Sequence, residues 1–92
     1  MKDWKNPYLI VRADGIGLVD LDNHEIKILQ PEEVPTALSA LPATAWPYGR
    51  IVLVSQVVAQ DASDQTKAQV RKNRGLLVGT LKDLKILIHE QP

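Results

Sequence analysis

The residues of this chain that could do chemistry are few and widely spaced. His24 and His89 are its only histidines, cysteine is absent, and the serines are Ser39, Ser55 and Ser63. A nucleophile needs a base within hydrogen-bond reach, and a zinc site needs ligands at short spacing. Neither pattern occurs, so we expect no enzyme, no metal site and no cofactor. Folding could still assemble a Ser-His-Asp triad, since triads are defined by geometry.

Three glycine or carboxylate motifs fall short of ligand-binding patterns. The run that begins at Asp20 starts like a calcium loop, but it has Glu25 where the loop needs glycine and Pro31 where it needs an acid. Gly15-x-Gly17 leads into an expected strand and not a helix, so it does not match a dinucleotide fingerprint. Gly75-x-x-x-Gly79 lacks the lysine of a phosphate-binding loop. These motifs therefore indicate ordinary turns and helix positions.

The best candidate binding site is the turn from Trp46 to Arg50. It contains Trp46, Tyr48 and Arg50, and these three residue types dominate binding hot spots. A ligand or a protein partner could bind there. The alternative is that Trp46 and Tyr48 cap the core at one end of a sheet, with their polar tips in water.

Arg74 is a further candidate for ligand or partner binding. It lies beside Lys67, Arg71 and Lys72, in a basic run on an expected helix. The run indicates either a solvated helix face or a weak patch for anions and acidic partners. Arg74 itself falls at the edge of the buried stripe, where it could snorkel. It could instead pair with an acid, such as Asp61 or Glu33.

Charge and composition narrow the class of protein. The chain has 92 residues and a net charge of +0, with five basic against nine acidic residues up to position 66 and six against two after it. A balanced charge argues against specific nucleic-acid binding, which depends on neutralising phosphates. No apolar run approaches the roughly 20 residues that span a bilayer. We therefore expect a single cytoplasmic domain, residues 1–92, with no membrane partner.

Hydrophobic periodicity predicts seven elements in the order β-β-β-α-β-α-β. Alternating apolar residues indicate strands, and apolar residues at helical spacing indicate helices. Asp14-Gly15 between two apolar runs predicts a tight hairpin turn. Within 75–83 a helix competes with a break at Gly75 that would make residues 76–78 a strand or hairpin. The predicted strands are 8–12, 16–21, 25–29, 51–58 and 85–89, and the helices are 31–41 and 64–83.

These elements predict an α/β (α+β) two-layer sandwich, in which two helices cover a mixed sheet of four to five strands. Both faces of the strands 8–12 and 51–58 are apolar, but the helices cover only one. We expect the second face to be buried by a partner copy, unless the amino-terminal arm with Trp4 covers it. The leading hypothesis is a protein-interaction or self-assembly module that forms a homodimer. The alternative is a small-ligand or anion-binding domain that uses the Trp46–Arg50 turn.

Overall fold

The computed structural model describes residues 4–21 and 24–90, which form five strands, two α-helices and two short 3-10 turns. The 3-10 turns are Pro31–Glu33 and Ala43–Ala45. Within the described residues no helix has the length and apolar character needed to cross a bilayer. The elements are β1 (Tyr8–Arg12), β2 (Gly15–Asp20), β3 (Glu25–Leu29), α1 (Val34–Ser39), β4 (Ile51–Gln56), α2 (Asp64–Asp83) and β5 (Leu87–Glu90).

The five strands form one mixed sheet in the order β3-β2-β1-β4-β5. The first three strands form an antiparallel meander, and β4 and β5 extend it in parallel from β1. Parallel neighbours need a long connection, and α2 supplies the one between β4 and β5. The predicted α+β architecture and element order are therefore confirmed.

The long helix α2 is unbroken across both of its glycines. Ser63 caps its start, because the Ser63 side chain accepts a hydrogen bond from the backbone N–H of Thr66. Its apolar stripe includes Val70, Leu77 and Leu81, each at most 1% exposed. Burial of this stripe outweighs the low helix propensity of glycine. The alternative strand at residues 76–78 is wrong.

The first helix is short because prolines limit it at both ends. Pro31 opens the preceding 3-10 turn, Pro35 occupies the first turn of α1, and Pro42 follows the end of α1. Val34 and Leu38 of α1 are buried in the core. The predicted helix is thus confirmed, although the first three of its predicted residues, Pro31–Glu33, form a 3-10 turn.

The two faces of the sheet differ in what covers them. Side chains of Leu9, Val11, Val52 and Val54 point to one face and pack with α1 and α2 in the core. Because side chains alternate along a strand, the intervening residues occupy the other face, which we call the open face. It carries Tyr8, Ile10, Arg12, Val19, Ile26, Ile28, Ile51, Leu53, Ser55, Leu87 and His89.

The first hairpin turns one residue earlier than predicted. Arg12 pairs with Gly15, so Ala13 and Asp14 form the two-residue loop and Gly15 begins β2. Gly15 has a φ of +143°, and a Cβ there would lie 2.4 Å from the carbonyl oxygen of Leu29. Glycine is required by both its backbone angle and the close approach of β3.

Other boundaries differ from the predicted ones by one to two residues. The fourth strand ends at Gln56 and the last begins at Leu87. Lys85 has a φ of 58° directly after the helix end at Leu84, which delays the last strand. The predicted turn between β2 and β3 includes Asp22 and Asn23, which lie outside the described residues.

Candidate interaction surface

The Trp46–Arg50 turn is held in place by a buried side chain from the amino-terminal arm. Asn6 is fully buried, and its amide nitrogen donates hydrogen bonds of 2.8 Å to the carbonyl oxygens of Gly49 and Ile51. Its amide oxygen accepts a 2.9 Å bond from the backbone N–H of Tyr48. One asparagine thus satisfies two backbone groups of the turn and one at the start of β4. Asn6 therefore anchors the amino-terminal arm, residues 4–7, to this turn.

An aromatic cluster forms where this arm crosses the open face. The ring centroid of Trp4 lies 5.4 Å from that of Tyr48 and 5.7 Å from that of His89, stacked on the latter. His89 pairs with Leu53 in the sheet, and Leu53 is fully buried. One prediction was that the arm with Trp4 covers the open face. Trp4 does so only at the β4–β5 end, where it stacks on His89.

Trp46 and Arg50 lie on the other side of the turn. The indole of Trp46 packs against the helix-side core, and the guanidinium carbon of Arg50 lies 5.1 Å from its ring centroid. Tyr48 is 49% exposed beside Trp4. The three candidate residues therefore share a turn but straddle the end of the sheet, which is the geometry expected of residues that cap a core.

Arg74 is separated from the turn. Its guanidinium forms an ion pair with Glu90 at the end of β5. The backbone N–H of Leu87 in β5 donates a hydrogen bond to the carbonyl oxygen of Arg50. Glu90 lies three residues beyond Leu87, roughly 10 Å further along the strand and away from the turn. Arg74 therefore pairs with an acid, which was one of the two alternatives, but the partner is Glu90 and not Asp61 or Glu33, because α2 lies over β5.

Asn73 is a buried residue whose role the sequence did not reveal. It is 4% exposed, and its amide nitrogen donates to the carbonyl oxygens of Arg12 and Ala13 at 2.8 and 3.3 Å. Gln69 donates to its amide oxygen at 3.1 Å. Asn73 therefore ties α2 to the first hairpin. Its place at the edge of the helical stripe was the only signal, and Asn6 had none.

The β3 end of the open face carries two neighbouring exposed apolar side chains. Ile26 and Ile28 are 45% and 38% exposed, and they adjoin the half-buried Ile10 and Val19. We call these four residues the isoleucine patch. Among the strand residues of the open face only Arg12 carries a formal charge, and it pairs with Asp14 at 2.9 Å. Depletion of charge is typical of the centre of a protein interface.

A cleft of about 940 Å³ lies at the end of the sheet nearest the arm. It is bounded by the arm, the segment after α1 and the ends of β2 and β3. Its apolar lining includes Trp4, Leu18, Leu41 and Pro47, while Trp46, Tyr48 and Arg50 do not line it. Lys5, Asp20, Glu25 and Lys27 give its walls charges of both signs.

The described residues contain no arrangement that could perform catalysis of the kinds considered above. No group of three or more histidines and carboxylates among them could hold a metal ion. Ser55 is hydrogen-bonded to the hydroxyl of Tyr8 at 3.0 Å, and Ser63 caps α2. In this part of the chain no serine is hydrogen-bonded to a histidine.

Comparison of the chain with models of protein families, with curated proteins and with solved structures found no match. The function has to be argued from the geometry of the molecule.

Proposed function

We propose that this protein is an interaction module that self-associates through the isoleucine patch of its sheet, most simply as a homodimer. The observation that carries the proposal is the patch itself: two isoleucines of one edge strand, 45% and 38% exposed, on a face with almost no charge. Monomers rarely leave a large contiguous apolar surface in water. Removing this surface from water would stabilise an assembly in proportion to the apolar area buried.

A second copy is the partner that needs the fewest further assumptions. A two-fold interface places the same patch on both sides, and an apolar patch is complementary to itself. The Trp4 cluster covers only the β4–β5 end, so it leaves the β3 end accessible. A different protein with an apolar surface would be the alternative partner. The absence of cysteine agrees with the proposed cytoplasmic location.

The test is sedimentation equilibrium of the wild type and of Ile26→Lys at micromolar concentration. We expect a wild-type mass above that of the monomer and a monomeric variant, because the substitution places a charge in the proposed interface. Leu76→Lys is the matched control, since Leu76 is 47% exposed on α2, away from the sheet. It should associate like the wild type. A monomeric wild type would overturn the proposal.

A lysine substitution at Val54 would not be a suitable test, although Val54 also lies on a strand that is apolar on both faces. Its side chain is 1% exposed and belongs to the core under the helices. A lysine there would unfold the domain and would say nothing about association. Only the structure distinguishes the two faces of β4.

The second candidate function is binding of a small ligand or anion. The cleft of about 940 Å³ supports it, because ligand sites are concave and combine an apolar lining with a few polar groups. A thermal-shift screen against phosphates, nucleotides and carboxylates tests this function. A shift that is lost in Lys27→Ala places the ligand in the cleft. A shift lost in Arg50→Ala places it at the Trp46–Arg50 turn.

A further inference from the structure

The strand β3 has one side without a strand partner. It stands at one end of the sheet order, and β5 stands at the other. Edge strands present backbone N–H and C=O groups that can pair with another chain. Two side chains of β5 are already engaged, His89 with Trp4 and Glu90 with Arg74. Those of Glu25 and Lys27 on β3 make no hydrogen bond or ion pair with another described residue.

Pairing of β3 with a second β3 would give a closed dimer. When a two-fold axis pairs two identical edge strands, neither edge remains free for a third copy. Pairing of β3 with β5 of another copy would instead leave free edges at both ends, so that copies could add without limit. An axis perpendicular to the sheet keeps the open faces of both copies on one side. Residues directly opposite each other across the axis then point to the same face.

The charges of β3 select one register among those possible. An axis at Glu25 places the two Glu25 side chains opposite each other, and an axis at Lys27 does the same for the two lysines. Like charges directly opposite destabilise a strand pair. An axis at Ile28 sets Lys27 opposite Leu29 and leaves its charge unpaired. Only an axis at Ile26 places Glu25 of each copy opposite Lys27 of the other.

The same register also brings a lysine next to two acidic residues of each copy. Glu25 stands directly opposite Asp20 of β2, so two acidic side chains occupy adjacent positions on the helix-side face. A lysine from the second copy would flank Glu25 on its unpaired side. On the open face, the Ile26 side chains of the two copies would pack against each other at the axis.

We propose that two copies of this chain join their β3 strands antiparallel about a two-fold axis at Ile26, with Glu25 of each copy opposite Lys27 of the other. The proposal rests on the self-association proposed above and names its geometry. The result is a ten-stranded sheet in which the two Ile26 side chains pack against each other, so that part of each isoleucine patch is removed from water. The paired segment is short, so we expect a dimer of micromolar affinity rather than a tight one.

Charge reversal tests this geometry because Glu25 and Lys27 lie on the helix-side face, outside any contact made by the open face alone. We expect E25K and K27E each to weaken the dimer about tenfold or more, since each makes both cross-strand pairs repulsive. The double variant E25K/K27E should dimerise like the wild type. An equimolar mixture of the two single variants should form a heterodimer, in which both pairs are again attractive.

The readout is sedimentation equilibrium, with a thermal melt to show that each variant is folded. At concentrations low enough to dissociate the wild type as well, E25K should melt cooperatively and close to the wild type, because residue 25 is exposed on an edge strand. A dimeric wild type whose mass is unchanged by E25K and K27E would overturn this geometry and leave the proposed self-association intact. A monomeric wild type would overturn both. Single variants that weaken the dimer without rescue in the mixture would also overturn the register.

Discussion

At the scale of single residues, the two buried asparagines matter more than the exposed arginines and aromatics. Asn6 and Asn73 are fully or almost fully buried, and each satisfies backbone groups of a distant segment. A buried amide that loses its partners leaves those backbone groups without hydrogen bonds, at a cost larger than the net gain of making the bonds. The placement of the Trp46–Arg50 turn therefore depends on Asn6.

We predict that Asn6→Ala lowers the free energy of unfolding by about 2–3 kcal/mol, because it leaves the carbonyls of Gly49 and Ile51 and the N–H of Tyr48 unpaired. Urea denaturation followed by tryptophan fluorescence measures the change. Gln60→Ala, at an exposed loop position, is the control and should change it little. Equal stability of the two variants would contradict the anchoring role of Asn6.

At the scale of elements, the glycines of the first hairpin and of α2 have opposite consequences. Gly15 has a positive φ and lies against the backbone of β3, so no side chain fits there. Gly75 and Gly79 lie on the exposed side of α2, with no atom within 4 Å of a Cβ built on either. Helix α2 keeps its glycines because its buried stripe stabilises it, not because they suit a helix.

We predict that Gly15→Val destabilises the fold by about 2–4 kcal/mol, through backbone strain and the contact with the carbonyl of Leu29. Gly75→Ala should instead stabilise it by about 1 kcal/mol, because alanine is the better helix former and has room. Thermal melts of both variants measure the two effects. If both changes shifted stability in the same direction, the structural difference between these glycines would be refuted.

At the scale of the whole molecule, charge is segregated along the sequence and balanced in total. The last 26 residues are net basic and the first 66 net acidic. In the fold the basic helix lies over the sheet, and Arg74 pairs with an acid of β5. A chain with a net charge of +0 lacks the overall excess of positive charge on which nucleic-acid affinity depends.

We predict that the protein does not bind duplex DNA specifically. Fluorescence anisotropy with labelled duplexes at physiological salt should show no submicromolar binding. Arg71→Glu, on the exposed side of α2, should leave the signal unchanged. Submicromolar binding with a steep salt dependence that this variant reduces would contradict the prediction.

The sequence by itself determined the elements and the class of fold, because both are encoded in local periodicity. The helical spacing of apolar residues in α2 and the alternation in β1 and β3 led to their observed bounds. The predicted strand boundaries differ from the observed ones by one or two residues where a positive backbone φ sets the boundary, as at Gly15 and Lys85. Local pattern contains no information on such angles beyond the presence of glycine.

Only the tertiary structure decided which residues meet. The same alternation along β4 is compatible with either face being covered, and the packing of α2 determined that Val54 lies in the core under the helices and Leu53 on the open face. Trp46 and Tyr48 lie on opposite sides of one turn, and Arg74 pairs with Glu90, because contacts across long sequence separations depend on how the layers stack. Side chains distant in sequence, such as Asn6 and Gly49, become partners only when the chain folds, so the composition of a site is a tertiary property.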